Sequence, residues 1–489
     1  MMQFLAAKQS AKCDTLILPF WQGKLPEFAF REKTAKTLAA PALKTGDFSG
    51  KAEELFFFYP SRGREKRLLL LGLGEEKKLT PEGMRRCYAQ ALRLLHAKKS
   101  KNIRIILPET DKQAETFLAS AVEGMLLANY SFDYHRAEKQ PLVQKVFIEK
   151  GSSSDLSLCK KLQAIASAVY FTRDLVMGNA DDVTPTNLAK QAQSLSKSFP
   201  LIETEVFTRS RIEKENLKLL LAVSQGAKTE PAFIIVKYRG NPSSQELTAL
   251  IGKGITFDTG GLLLKPRGGM ETMRDDMAGG AVVLSTIRAA AELKMAINLI
   301  GIVASTENAI GPGSYKPGDV YGSHAGISVE IADTDAEGRL VLADAISYVQ
   351  THYAPKRIID LATLTGGAII ALGEEVAAIC SNNEQLTDQL MAAGEKTYER
   401  LWPLPLYEEY AELLKSKIAD IKNAGPRKAS TICGAMFLKR FVKEPVAWAH
   451  LDIAGVAFVD PQKPYHPIQA TGFGVRLLLA FLESLYGRS

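Results

Sequence analysis

The stretch Asp333-Thr334-Asp335-Ala336-Glu337-Gly338-Arg339-Leu340 sets two carboxylates two residues apart, with an arginine two positions further on. Upstream, Gly252 to Gly261 carries Lys253 and Asp258 among glycines, and Asp275-Asp276 lies between the two stretches. Asp258, Asp276, Asp335 and Glu337 meeting in one partly buried pocket would repel one another, and burial without counter-charge would be prohibitive. Two divalent ions would balance four carboxylates, and Mn²⁺, Mg²⁺ and Zn²⁺ all accept such oxygens. A centre of this kind hydrolyses an amide without a serine, cysteine or histidine nucleophile. The other reading of the same spacing is that each acid caps its own helix, because Asp and Glu favour helix N-termini. Spacing alone leaves both open. The six histidines form no H-E-x-x-H pair, which argues against a mononuclear histidine zinc site.

These residues need elements to bring them together. Candidate strands are Thr248 to Ile251, Ser328 to Ile331, Lys218 to Ala222, Ala232 to Val236, Ile297 to Val303 and Arg357 to Leu361. Helices are expected at Ala278 to Leu293 and Gly338 to Tyr353. The three acidic groups then fall at strand-to-helix turns, where an open α/β sheet places its ligands. The glycines Gly252, Gly254, Gly260 and Gly261 are expected to let backbone pass close to a ligand. Earlier in the chain, Arg67 to Leu73, Ile103 to Leu107 and Val143 to Ile148 read as strands and Gln113 to Tyr130 as a helix. Gly151 to Asp155 is a polar break, and a helix should run from Leu156 to Val176. Thr184-Pro185 should open another, with Thr184 as N-cap. The expected fold class is α/β with two domains, each a mainly parallel or mixed sheet flanked by helices, the larger C-terminal one catalytic. The expected divisions are 1–155 for an assembly or regulatory domain, 156–184 for a linking helical region and 185–489 for the catalytic domain.

Composition fits this reading. Of 489 residues, 46% are apolar and 24% charged, as in a globular protein of more than one core. The net charge of +7 is modest for this length. Cys13, Cys87, Cys159, Cys380 and Cys433 form no C-x-x-C pair, which suits a reducing compartment. The first eight residues are not bounded like a signal peptide, and no apolar run reaches the roughly 18 residues of a membrane span. The expected location is cytoplasmic, with no membrane partner. Gly72-Leu73-Gly74 lacks the third glycine of a dinucleotide loop and reads as a structural turn. His450-Leu451-Asp452 reads as packing.

Asp333 to Leu340 resembles the signature octapeptide of the leucyl aminopeptidase family, the two-metal cytosol aminopeptidases. Gly252 to Gly261, Lys265-Pro266, Met273 to Asp276, Tyr315 to Asp319, Ala362 to Gly366 and Trp448 to Gly455 are similar to further family motifs in the same order. The first domain resembles the family's variable N-terminal domain in outline. The resemblance implies that Lys253, Asp258, Asp276 and Glu337 hold one metal ion, and Asp258, Asp335 and Glu337 the other. It implies that Lys265 stabilises the developing oxyanion and that Arg339 holds bicarbonate as general base. It further implies that Met273, Thr363, Leu364, Gly366, Ala454 and Ala457 line the pocket for an apolar first side chain. The implied enzyme is a homohexamer acting on short peptides with a free N-terminus. One residue departs from the family pattern: the signature usually opens with asparagine, and here it is Asp333.

A reading from another class is nucleic-acid binding or regulation by a basic first domain, which needs lysines and arginines gathered on one face. An inactive relative is a third, against which the seven metal and catalytic positions keep the family's residue types.

Overall fold

Apolar runs bounded by polar turns form the strands of two sheets. The computed structural model describes residues 1–7, 13–23, 40–60, 66–108, 114–460 and 463–486. The chain divides into two compact units, one of Met1–Ser167 with Asp460–Gln469, the other of Ala168–Val459 with Ala470–Ser489. The division falls inside the helix Ser153–Met177. The polar run 151–155 opens this helix: the Asp155 carboxylate accepts the Ser152 amide at 2.8 Å, and the Ser152 hydroxyl accepts the Asp155 amide at 3.1 Å.

The first unit holds β1 (Gln3–Ala6), β2 (Thr15–Phe20), β3 (Leu55–Phe58), β4 (Arg67–Gly72), β5 (Asn102–Ile105) and β6 (Lys145–Ile148). Their order is β1-β6-β5-β2-β4-β3, parallel throughout except for the antiparallel β3–β4 edge. Helices Pro81–Ala97 and Ala114–Ala128 pack against each other. The latter fills the expected helical segment, of which Gln113 lies outside the described residues. Gly72 is indeed a structural position, since a Cβ there would lie 1.9 Å from the Lys51 carbonyl.

The second unit contributes β7 (Ile202–Phe207), β8 (Ala232–Arg239), β9 (Thr248–Asp258), β10 (Asn298–Asn308), β11 (Val320–Gly322), β12 (Ser328–Glu330), β13 (Arg357–Ala362), β14 (Ala377–Ser381), β15 (Leu401–Pro403), β16 (Ile421–Lys422) and β17 (Ala447–Asp452). Eight of them form a sheet in the order β15-β14-β17-β13-β9-β10-β8-β7, and β11-β12-β16 form a small second sheet. The central strands β17, β13, β9 and β10 are mutually parallel, so their carboxyl ends share one edge. On that edge Asn308 pairs with Asp258, and Ala362 with Asp452.

Two expectations need correction. First, β9 does not end near Ile251 but runs to Asp258, so Lys253 sits inside a buried strand. Gly-Lys-Gly reads locally as a turn, but Gly252 is needed for helix packing and a Cβ on Gly254 would lie 2.7 Å from the Val303 side chain of β10. A Cβ on Gly252 would lie 2.5 Å from the backbone of Gly279 and Gly280, and one on Gly279 only 2.1 Å from the Leu361 carbonyl. The helix Ala278–Glu292 therefore lies directly on the strands. Ala249, Ile251 and Ile255 of β9 join the core that includes Leu340, Val341 and Ala345 of helix Glu337–Tyr353.

Second, the expected strand Lys218 to Ala222 is the helix Lys218–Ser224. The short apolar run does not distinguish the two states. A distant partner decides: the buried Asp344 carboxylate accepts the Leu219 and Leu220 amides at 2.9 and 3.1 Å, capping the helix start. Burial pushes that carboxyl up to about 7 even so. Thr184 caps its helix as expected, accepting the Asn187 amide at 3.3 Å. Among the described residues no helix is long and apolar enough to cross a membrane.

Helix Glu337–Tyr353 ends at Ala354, a left-handed residue with φ 44°. A Cβ in that conformation costs about 1 kcal/mol. Ala354→Gly should therefore raise stability by up to about 1 kcal/mol, offset in part by glycine's freer unfolded chain. Thermal unfolding of the pair measures this, and the expected change is an increase in Tm.

Candidate metal centre

Four segments deliver the acidic side chains to the carboxyl edge of the large sheet. Strand β9 supplies Lys253 from its middle and Asp258 from its last residue. The 3₁₀ turn Met273–Asp275 places Asp276 just before helix Ala278–Glu292. The turn after β12 carries Asp335, and Glu337 begins helix Glu337–Tyr353 with Arg339 two residues on. The loop after Asp258 brings Lys265, whose amide bonds back to the Thr259 carbonyl at 2.9 Å. Gly260 and Gly261 turn this loop with φ 85° and 65°, values that favour glycine.

The structure brings the five expected ligands and Lys265 into one cluster. Lys253 Nζ lies 2.7 Å from Asp276 Oδ1 and 2.7 Å from Glu337 Oε1. Lys265 Nζ lies 2.7 Å from Asp258 Oδ2 and 2.6 Å from Asp335 Oδ1. Asp258, Asp335 and Glu337 each offer an oxygen, all within 4.8 Å of one another. The reading in which each acid caps a separate helix does not describe this arrangement. The cluster is deep at one end and open at the other: the Glu337 side chain is 2% exposed and that of Asp335 34%.

The charges do not balance. Four carboxylates face two ammonium groups, which leaves two negative charges in excess when all are ionised. Burial, then the neighbouring charges of Asp258 and Glu337, push Asp335 up to about 7. Burial, then Glu337, raises Asp258, and burial with Glu337 and Asp258 raises Asp276. Burial disfavours the Lys253 ammonium, but Asp276, Glu337 and Asp258 outweigh it and raise its pKa. Lys265 is raised in the same way, chiefly by Asp258. Asp276 Oδ2 and Glu337 Oε2 are buried with no hydrogen-bond partner. Each such orphan costs about 1–3 kcal/mol or more. A set of carboxylate oxygens with two orphans and surplus negative charge fits hard divalent cations.

Residues that the motif reading left without a role hold the acids in place. Asn308 Nδ2 donates to Asp258 Oδ1 at 2.7 Å and to the Thr334 carbonyl at 3.0 Å. The Tyr315 hydroxyl donates to the same carbonyl at 2.7 Å, and Thr334 Oγ1 donates to the Gly260 carbonyl at 2.7 Å. Strand pairing across β9 and β10 could have pointed to Asn308, but only once β9 is known to extend to Asp258. The unusual Asp333 accepts the Asp335 amide on Oδ1 at 2.9 Å. An asparagine oxygen makes the same turn, so charge is what distinguishes the two residues here.

Arg339 is buried, donates from Nη1 to the Asn423 carbonyl at 2.7 Å and leaves Nε without a partner. Of the expected pocket residues, Thr363 joins the cluster directly. Its hydroxyl donates to Asp276 Oδ1 at 2.7 Å and its carbonyl accepts Lys253 Nζ at 3.1 Å. Met273 opens the turn that ends at Asp276. The Leu364 and Ala454 amides both donate to Asp452 Oδ1, at 3.1 and 3.2 Å. Gly366 starts helix Gly366–Leu372 with open space where a Cβ would stand. Ala457 is buried, and its backbone bonds are to Ile453 and Thr471 rather than to the acids. His450 is wholly buried and bonds Asp360 at 2.6 Å.

Comparison with known proteins gives a consistent picture. Residues 170–479 match the profile described as cytosol aminopeptidase family, catalytic domain, and residues 17–139 that family's N-terminal domain. A "Probable cytosol aminopeptidase" of Protochlamydia amoebophila is 46% identical over 488 residues, covering 98% of each chain. One of Chlamydia abortus is 44% identical, covering 99% of this chain and 98% of its own. A mutant of tomato leucine aminopeptidase superposes with a TM-score of 0.88 at 30% identity, over 99% of this chain and 96% of that one. The bottromycin maturation enzyme BotP in complex with Mn does so at 0.87 and 28% identity, over 97% and 100%.

Lys253→Met would leave Asp276 and Glu337 facing each other without a cation. Removing one partner of a buried ionic group costs about 3–5 kcal/mol. Urea unfolding in the presence of EDTA should show a loss of that order relative to the wild type.

Proposed function

The chain belongs to the cytosol aminopeptidase family, and from that premise we propose metal-dependent release of N-terminal residues, preferably leucine or another apolar residue, from short peptides. The observation that carries this reading is the buried cluster of Asp258, Asp276, Asp335 and Glu337, whose orphaned oxygens and excess charge call for cations. Lys253, binding as a neutral amine once the incoming cation has displaced its proton, would hold one divalent ion with Asp258, Asp276 and Glu337, and Asp258, Asp335 and Glu337 would hold a second, with Mn²⁺ or Zn²⁺ as the first candidates and Mg²⁺ as a third. Bound there, such ions supply Lewis acidity and lower the pKa of water.

The remaining chemistry falls to the chain's own side chains. Lys265 is more open than Lys253, with 14% of its side chain exposed against 4%. Its ammonium is the group to stabilise negative charge as it develops on the scissile carbonyl. The buried Arg339, with its unpartnered Nε, is suited to hold bicarbonate, which would accept the proton of the attacking water. Met273, Thr363, Leu364, Gly366, Ala454 and Ala457 are the residues proposed to receive the first side chain. A methionine among small residues suits an apolar group. Family membership is also the ground for proposing a cytoplasmic homohexamer.

Hydrolysis of leucine p-nitroanilide tests the reading. Chelation should abolish turnover and Mn²⁺ or Zn²⁺ should restore it; full activity in EDTA would refute metal dependence. Asp335→Ala should destroy activity through loss of metal. Lys265→Ala should lower kcat by about 10²-fold or more while both ions stay bound. Arg339→Ala should cost less, because water or solvent anions substitute for the held base, and its loss should vanish in bicarbonate-free buffer.

A further inference from the structure

Asn423 follows β16, the two-residue strand that pairs in parallel with β12 just before the ligand turn. It is wholly buried, and its amide bonds the Glu330 carbonyl at 2.9 Å. Its side chain is saturated by the turn that carries the acids. Oδ1 accepts the amides of Ala332 and Asp333 at 2.8 and 3.1 Å. Nδ2 donates to the carbonyls of Asp333 and Ala336 at 2.6 and 3.4 Å. Its own carbonyl accepts Arg339 Nη1 at 2.7 Å. Two donors and two acceptor positions therefore hold the backbone on both sides of Asp335, up to the residue before Glu337. A fifth contact, from the main chain, aims the arginine.

We propose that Asn423 is the positioning residue that fixes Asp335, Glu337 and Arg339 in one register, so that the metal ligands and the anion-holding guanidinium are set by a single side chain and its carbonyl. The proposal rests on the metal reading given above. The turn's other side-chain contacts run elsewhere: Asn308 and Thr334 hold it to Asp258 and its loop, and Tyr315 holds it to the segment after β10. Without the Asn423 amide, the Ala332 and Asp333 N–H groups and two carbonyls lose their buried partners together. The turn then loses its anchor on this side, and both carboxylates shift with it.

The test compares wild type, Asn423→Ala, Asn423→Asp and a control, Asn129→Ala, by Mn²⁺ titration calorimetry, thermal unfolding and kinetics on leucine p-nitroanilide. Asn129 is a buried clamp in the first unit, bonding the Val143 amide and carbonyl at 3.0 Å each. Its loss should lower Tm and leave Mn²⁺ affinity intact. Asn423→Ala should weaken Mn²⁺ binding by about tenfold or more and lower kcat by a similar factor, with KM changed less. Asn423→Asp keeps the two acceptor contacts but sets an oxygen against the carbonyls of Asp333 and Ala336. It should weaken Mn²⁺ binding too, and it serves as the reading if the alanine variant does not fold. Variants that are folded and bind Mn²⁺ like wild type, with only Tm reduced, would overturn the positioning role. A wild type that takes up neither Mn²⁺ nor, in parallel titrations, Zn²⁺ or Mg²⁺ would overturn the metal reading and this inference with it.

Discussion

Surplus negative charge in a dry place is the constraint on which the catalytic unit turns. Asp258, Asp276 and Glu337 are almost fully buried, and with all four carboxylates ionised two lysines neutralise only half of the cluster. In a medium of low effective dielectric such an arrangement holds only where the scaffold forbids the groups to separate. The scaffold does so by using the stiffest part of the fold. Lys253 and Asp258 are on the central strand of an eight-stranded sheet, Asn308 is registered beside Asp258 on the next strand, and Thr363 follows a third. Close packing of Gly252 on Gly279 and Gly280 brings the Asp276 segment down onto the same edge. Side chains on loops alone could relax apart; these are held by backbone pairing on one side and helix packing on the other.

The sequence made much of this legible, and the reason differs from part to part. The acids, the two lysines and Arg339 sit in short motifs where residue type and spacing carry the information, and the acids and lysines meet in space. The alternation of strands and helices gave the α/β class and the parallel core. What was illegible depends on partners far away in the chain. Whether Lys218–Ser224 is a helix is settled by Asp344, more than a hundred residues later. The full length of β9 is hidden because Gly-Lys-Gly resembles a turn until the helix that packs on Gly252 is in view. Asn308 and Asn423 belong to no pattern of charge or period. A lone asparagine gains meaning only from the turn it clamps.

Support for the acidic turn is divided between two neighbours of different kinds. From one side Asn308 and Thr334 join it to Asp258 and its loop, and Tyr315 joins it to the segment after β10. From the other, Asn423 continues the line of β16 beside β12. The small sheet β11-β12-β16 is thus tied to the chemistry although none of its strand residues is among the proposed ligands. Asp333 is accommodated within this web because the turn asks it only for an acceptor oxygen.

The chain enters its first unit twice. Residues 460–469 return to it after nearly three hundred residues spent elsewhere, and Tyr465 places its hydroxyl 2.6 Å from Glu82 in the buried group that also includes Arg85. The unit is therefore not a bead that scissors could free at one point. A fragment stopping at 167 would lack a piece of its own interior, and transplanting this module between relatives would need two splices made in concert.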